Sequence, residues 1–406
     1  MRGGRRPKEG TTLTAVQILF WVFVGLLVYT YFGYPLLLLA VSSVVQLSRD
    51  LRFLFNRESR RIGVVAEQHL PAVSLVIPAH NEEAAIAAKL ENAMALDYPG
   101  DKLEIIVASD GSDDRTNEIA QSFAGRGVIL AAYTERRGKP SVINDTIEKA
   151  AGDIVILSDA TTMMDVDAVR NIVRHFEDTS VAVVNGELRF VSPDEGYKGE
   201  GLYWRYEVMI KFLENRLGVV IGSSGALCAV RRSAYRPIPA DCICDDLVIT
   251  LNVVIDGHRA VYDPEAQSVE ETAASVEMES SRRERIGAGN FQALGLTWRL
   301  LNPLRGWVCL AYVSHKIFKW ITWAFMAGAL VTNAALAREP LYMVLLLCQG
   351  GFYGSALLKK TGVRVPVVSR IGSLAYYFIS MHVALFRGLI RYLRGTQKVA
   401  WRRAHR

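Results

Sequence analysis

The chain is defined first by what it lacks. Its five cysteines, Cys228, Cys242, Cys244, Cys309 and Cys348, form no C-x-x-C pair, and the C-I-C at 242 to 244 is too tight for ordinary zinc spacing. That favours reduced thiols in a cytosol-facing domain over a disulfide scaffold. No internal repeat or low-complexity segment interrupts the sequence. From Thr14 to Leu47 there is no charged residue. This run exceeds the roughly 20 residues needed to cross a bilayer. It is also too long for a signal-peptide core and carries no compelling cleavage pattern, so it reads as a retained anchor. The net charge of +6 gathers in clusters that flank apolar segments, which points to an anionic membrane surface and not to nucleic acid. At 406 residues and 50% hydrophobic, the chain is too long and too apolar for one ordinary soluble domain.

The informative stretch runs from Val73 to Thr162. VSLVIPAHNEE (Val73 to Glu83), IIVASDGSDDRT (Ile105 to Thr116) and IVILSDATT (Ile154 to Thr162) each begin with a short run rich in Val and Ile and end in a polar or acidic residue. That is the pattern of buried parallel strands whose carboxyl ends deliver side chains into a crevice, where open α/β sheets bind ligands. Asp110 precedes Gly111 and Ser112, a turn that allows close backbone approach, and its carboxylate can read a base N–H or a ribose hydroxyl. Asp159 ends its strand in the same way, and an acid facing a diphosphate is useful chiefly through a hard divalent cation. The pair therefore reads as one acid for a nucleoside and one for a metal. Between them, RRGKPSVIN (Arg136 to Asn144) puts Arg137 and Lys139 on a loop ahead of a helix expected over Val142 to Ala150, suited to a diphosphate or to a solvated basic turn. A further helix is expected over Glu82 to Ala95, its start near Asn81 and Glu82 pointing at the crevice, with His80 beside it as a structural residue or a nucleotide contact.

With these motifs in order, followed by Asp245-Asp246 and by Arg282-Arg283-Glu284-Arg285-Ile286, the chain resembles an inverting family 2 glycosyltransferase of the membrane-embedded, polysaccharide-synthase-like kind, from roughly Pro71 to the C-terminus. The resemblance implies an α/β nucleotide-sugar-binding domain (GT-A-like, Rossmann-related), cytosolic, plus transmembrane α-helices. It places Pro78, Asn81, Glu82 and Asp110 at the nucleotide, and Lys139, Arg282, Arg285 and Gln292 at the rest of the substrate. It gives Mg²⁺ or Mn²⁺ to Asp159 and Thr161, the base to Asp246, and the orienting role to Asp245, a pair that a plain helix cap would also explain. The implied partners are a UDP-sugar donor, a polysaccharide or lipid acceptor, membrane lipid and polysaccharide-export subunits. Two departures stand out: Asp159-Ala160-Thr161 replaces D-x-D, and Ile286 stands where the family has Trp. The first weakens the metal site and also admits a degenerate nucleotide sensor. The second removes the residue that would stack an acceptor, so single addition to a membrane lipid stands beside a growing β-linked extracellular polysaccharide. Trp204, on the amphipathic stretch Leu202 to Arg216 ahead of Gly222 to Ala226, is either a core aromatic or an acceptor platform.

The resulting division is a basic tail (1–13), an anchor (14–47), a basic linker (48–70), a catalytic domain (71–294), an interfacial segment (295–307), apolar segments (308–386) and a basic tail (387–406). Three or four spans are expected at the cytoplasmic membrane, the last apolar segment being re-entrant or interfacial if the arginine-rich tail stays inside.

Overall fold

The structure, a computed structural model, describes residues 7–56, 65–191, 198–223, 225–271, 276–360 and 366–397. Arg57, Arg60, Arg61, Arg364, Lys398, Arg402 and Arg403, which the topology expectations used, lie outside them. Eight strands make one sheet: β1 (Val73–Ala79), β2 (Leu103–Asp110), β3 (Val128–Tyr133), β4 (Ile154–Leu157), β5 (Met163–Met164), β6 (Val181–Val191), β7 (Cys228–Arg231) and β8 (Arg259–Glu271), in the order β3-β2-β1-β4-β7-β6-β8-β5. β1 to β4 are parallel, and β7 then runs antiparallel between β4 and β6. The fold is therefore the expected α/β nucleotide-sugar type with a mixed second half.

β1 is buried throughout because apolar layers cover both faces: Leu75 and Ile77 enter one, Val76 the other. β1 pairs with β2 on one side and β4 on the other, so the connections diverge at its carboxyl end and leave a crevice there. Pro78 is tolerated inside this central strand. Two residues earlier, Val76 O accepts the last bond from the β4 side, from Ser158 N–H at 3.2 Å, so the missing donor falls where the ladder has already ended.

Helices start close to where the sequence put them. The first is Ile86–Met94, because Glu82 to Ala85 is spent on a turn in which Ala85 and Ile86 N–H both donate to Glu82 O. Another is Lys139–Lys149, three residues ahead of expectation, since Pro140 sits in the first turn, where no N–H is required.

Among the described residues three helices are long and apolar enough to cross a membrane: Leu13–Phe55, Pro340–Leu358 and Gly372–Leu393. The 308–337 stretch is not among them, being broken into Trp307–Ala311, a π-helical turn Tyr312–Ile317, Phe318–Trp320 and Thr322–Ala335. The first long helix also widens into a π turn at Tyr29–Gly33, just before Pro35. A proline clashes with the carbonyl four residues back, here Tyr31, and the wider turn relieves that clash. Tyr206 Oη donates to the Thr30 and Tyr31 carbonyls, each at 3.3 Å, which ties the helix Lys198–Arg216 to this helix.

Candidate functional site

Two loops meet at the carboxyl ends of β1 and β2. Among the described residues Asn81 is the non-glycine with positive φ, +56°. Its conformation is fixed from outside: Asn81 Nδ2 donates to Asp113 Oδ1 (2.5 Å), Asp113 N–H donates back to Asn81 Oδ1 (3.0 Å), and Asn81 N–H donates to Ser112 Oγ (3.2 Å). Glu82 N–H donates to Thr116 Oγ1 at 2.8 Å, and His80 Nδ1 lies 2.7 Å from the Asp110 carbonyl, a structural contact. Gly111, at φ +59°, is required, since a Cβ there would stand 2.7 Å from Arg136 N. The Asp110 carboxylate accepts from Arg137 N–H (2.7 Å) and Gly138 N–H (2.9 Å), and so holds the start of the Lys139–Lys149 helix against β2.

From that helix start Lys139 reaches the acids. Its Nζ lies 2.8 Å from Asp159 Oδ1, at the end of β4, and 3.2 Å from Asp245 Oδ2, on the first turn of the helix Asp245–Ile255. Burial alone would lower the proton affinity of this lysine, but Asp159, Asp245 and Asp246 overturn that and hold it above the ordinary lysine value. Burial, and then the charge of Asp245, push Asp246 up from 3.8 to about 6, with Lys139 opposing. A carboxylate with that value takes up a proton close to neutral pH.

Lys89 was not singled out by its sequence. It is fully buried beneath the Asp159–Thr162 turn, where Nζ donates to Ser158 Oγ (2.8 Å) and Thr162 O (2.5 Å). Burial lowers it to about 7 against the pull of Asp159. Thr161 Oγ1 donates to Glu270 Oε1 at 3.3 Å, which brings a second carboxylate, from β8, to the metal motif. No group of three or more His, Cys, Asp and Glu that could hold a metal occurs among the described residues. The donors are still hard oxygens at a strand end. They fit a divalent ion such as Mg²⁺ that keeps waters and takes further oxygens from a phosphate, with Asp159, Thr161 and Glu270 as the protein side.

On the far side runs the helix Val276–Leu296. Gln292 spends its amide on backbone, with Oε1 accepting from Ile243 N–H (2.9 Å) and Nε2 donating to Asp241 O (2.9 Å), so it fixes the segment leading into Asp245. Gly289 lets that segment close in, as a Cβ there would meet Cys244 Sγ at 2.4 Å. Burial, and then the charge of Asp246, raise the Cys244 thiol, and the charge of Arg285 opposes them. Arg282 lies over the Phe190 ring at 5.8 Å. Arg283 donates to Tyr377 Oη at 2.8 Å, and Ile286 packs on the core. Trp204 packs edge-on against Phe190 and donates Nε1–H to Leu188 O at 2.9 Å, the contacts of a structural aromatic. A cavity of about 540 Å³ lined by Asp153, Ile154, Arg231 and Arg232 lies at the opposite, amino end of β4 and is separate from these groups. All five cysteines are free thiols.

Parts of the chain resemble known proteins. Residues 74–238 match the family model described as Glycosyl transferase family 2. The chain is 27% identical over 225 residues to poly-beta-1,6-N-acetyl-D-glucosamine synthase of Staphylococcus aureus, covering 53% of each chain. It is 26% identical over 246 residues to "Probable glycosyltransferase YdaM" of Bacillus subtilis, covering 55% of this chain and 56% of the other. It thus spans about half the length of the curated relatives it matches. Among solved structures, a mannosyltransferase from Pyrobaculum calidifontis in complex with GDP-Man and Mn²⁺ superposes with a TM-score of 0.66 at 22% identity, over 93% of this chain and 100% of that one, a likeness of fold.

Proposed function

Since the chain carries a family 2 glycosyltransferase domain over residues 74–238, we propose that it is an inverting, UDP-sugar-dependent transferase at the cytoplasmic membrane, its catalytic domain cytosolic. The acceptor is membrane-held, and a growing β-linked polysaccharide is the first reading, supported by the polymer synthase among its relatives. The observation that carries the proposal is Lys139, whose ammonium bridges Asp159 and Asp245 and so draws the metal motif and the acidic dyad into one crevice at the strand ends.

In that crevice the acceptor hydroxyl oxygen attacks C1 of the donor sugar from the face opposite the diphosphate. The C1–O bond to phosphate breaks, UDP leaves with the electron pair, and the hydroxyl proton passes to an Asp246 oxygen. Lys139 and Arg285 turn positive charge toward the leaving diphosphate. When bound, a divalent cation at Asp159, Thr161 and Glu270 supplies further neutralisation of that charge. Single addition to a lipid acceptor is the second reading, favoured by Ile286 in place of the stacking Trp.

Full-length protein in vesicles, given a panel of radiolabelled UDP-sugars, should release UDP and make a labelled product, and chelation should stop both. A ladder or high polymer supports polysaccharide synthesis, a single organic-soluble species supports the lipid reading, and no transfer from any UDP-sugar rejects the proposal. Because Asp246 must be unprotonated, kcat/KM should fall as pH drops through about 6. Asp245→Asn removes the neighbouring charge that raises Asp246, so this limb should move to lower pH by on the order of one unit. A limb that stays in place would show that another group sets it.

A further inference from the structure

The acceptor side of Asp246 carries positive charge that the transfer reaction does not explain. Lys211, on the helix Lys198–Arg216, is 4% exposed, and its ammonium rests over the faces of Trp204 (5.1 Å) and Tyr262 (4.9 Å). It makes no hydrogen bond or ion pair among the described residues. An ammonium has three N–H donors, and burying it without an acceptor is unfavourable. Burial, together with the charge of Lys316, lowers Lys211 to about 8 against the longer-range pull of Glu207, Glu187 and Asp246. Lys316, half-buried on the π turn Tyr312–Ile317, also makes no hydrogen bond or ion pair among the described residues.

The two side chains converge on Gly222. A Cβ built there would lie 3.3 Å from Lys316 Nζ and 3.5 Å from Lys211 Cγ and Cδ. Three residues on in the chain, a Cβ at Gly225 would lie 3.5 Å from Asp246 Cγ, so the glycine against the lysines and the glycine against the base are close in sequence. Nearby acids are already committed. Glu207 pairs with Lys319 and with His315 Nε2 at 3.0 Å, while Glu214 takes Tyr34 Oη at 2.8 Å and His315 Nδ1 at 2.7 Å. The cation facing the donor-side acids is Lys139, which ion-pairs with neither Glu207 nor Glu214. The Lys316 ammonium at this side-chain-free position, with the Lys211 stem against it and the Lys211 ammonium over the adjoining rings, suits a tetrahedral, multiply charged oxyanion.

We propose that Lys211 and Lys316 hold a phosphate group of the acceptor, which makes the acceptor a sugar linked to a phosphate and not a neutral glycan end. The phosphate is held and not transferred, and the reacting hydroxyl belongs to the sugar attached to it. This rests on the glycosyl-transfer reading for the identity of the acceptor and chooses between its two forms. The site adjoins a candidate membrane helix, because Lys211 is on the helix that Tyr34 and Tyr206 tie to Leu13–Phe55, and Lys316 is on the broken stretch that precedes Thr322–Ala335. A lipid-linked sugar phosphate would enter there.

The test uses full-length protein in phosphatidylcholine vesicles with a long-chain alkyl N-acetylglucosaminyl phosphate and the matching alkyl N-acetylglucosaminide without the phosphate. The phosphate form should bind about tenfold tighter or better, as one charge-assisted hydrogen bond predicts, and Lys211→Met or Lys316→Met should each bring the two affinities toward equality. Methionine keeps the packing of the stem and removes a desolvated charge, and UDP binding confirms the fold of each variant. Competition by soluble N-acetylglucosamine 1-phosphate as well as by the lipid supports a site that reads phosphate alone. Competition by the lipid form only supports a site that also needs the membrane anchor. Equal affinity for the two alkyl sugars in the parent protein, or parental discrimination in both variants, overturns the proposal. Binding requires no turnover, so discrimination lost in the variants of a protein that transfers no sugar would keep the phosphate site and remove the transferase reading instead.

Discussion

Replacing Asp246 by Asn should reduce sugar transfer by about 10²- to 10⁴-fold, the range a positioned general base supplies, while UDP still binds. The loss follows from chemistry and not from folding, because the same change should stabilise the protein. In the fold this carboxyl titrates at about 6, above its ordinary 3.8, so its ionised form is disfavoured by burial and by Asp245. Sign and window follow from linkage. The unfavourable contribution is absent below pH 3.8, where the acid is protonated folded or unfolded, and is complete above pH 6, where both forms are ionised. Asparagine removes it, and the expected gain at pH 8 is on the order of 1–3 kcal/mol. Thermal unfolding of parent and variant at pH 4 and pH 8 should show the difference opening with pH. Retained turnover would remove Asp246 as the base. A variant that is both inactive and less stable at pH 8 would point to a structural role.

Lys139→Met should have the opposite effect on stability. Asp159 and Asp245 lose a shared cation at 2.8 and 3.2 Å, and Asp246 loses the charge that restrains its rise. Breaking a buried pair by removing one partner typically costs about 3–5 kcal/mol; with side chains 14–20% exposed, water recovers part of this, so roughly 2–4 kcal/mol is expected. With less positive charge beside it Asp246 should titrate above 6, moving the acid limb of kcat/KM upward, against the direction expected for Asp245→Asn. Lys139→Arg keeps the charge and should preserve more of both properties. Denaturant unfolding and a pH profile give the two readouts. A methionine variant as stable as its parent would show that the acids are not held through this lysine.

The strands were legible because β1, β2 and β4 are covered on both faces, which forces uninterrupted apolar runs, and their ends were legible because a run that stops at Asp110 or Asp159 leaves a charge at a sheet edge. What the sequence concealed is mostly non-local. Lys89 reads as the polar position of a helix, and its burial is set by Ser158 and Thr162, 69 and 73 residues later. Glu270 reaches Thr161 from 109 residues away. The amide of Gln292 looks like a substrate group until the backbone of Asp241 and Ile243 is found against it. In residues 308 to 337 the charged start at His315, Lys316 and Lys319 already sets the fully buried part back to near Ile321, but the partners of Ser314, His315 and Lys319, namely Tyr29, Glu214 and Glu207, are not legible. Lys139 was read on a loop because Gly138 and Pro140 flank it, although a proline beginning a helix gives the same signature.

Glu214 is sealed from solvent, and its carboxylate is answered by Tyr34 from near one end of the chain and by His315 from near the other. Trimming to a fragment of residues 71–294 would strip away both and leave a buried carboxyl without these two partners. It would also take Lys316 from beside Gly222, and with it one of the two lysines of the proposed phosphate site. The unit to express and assay is therefore residues 71–294 together with the helices that carry Tyr34, His315 and Lys316.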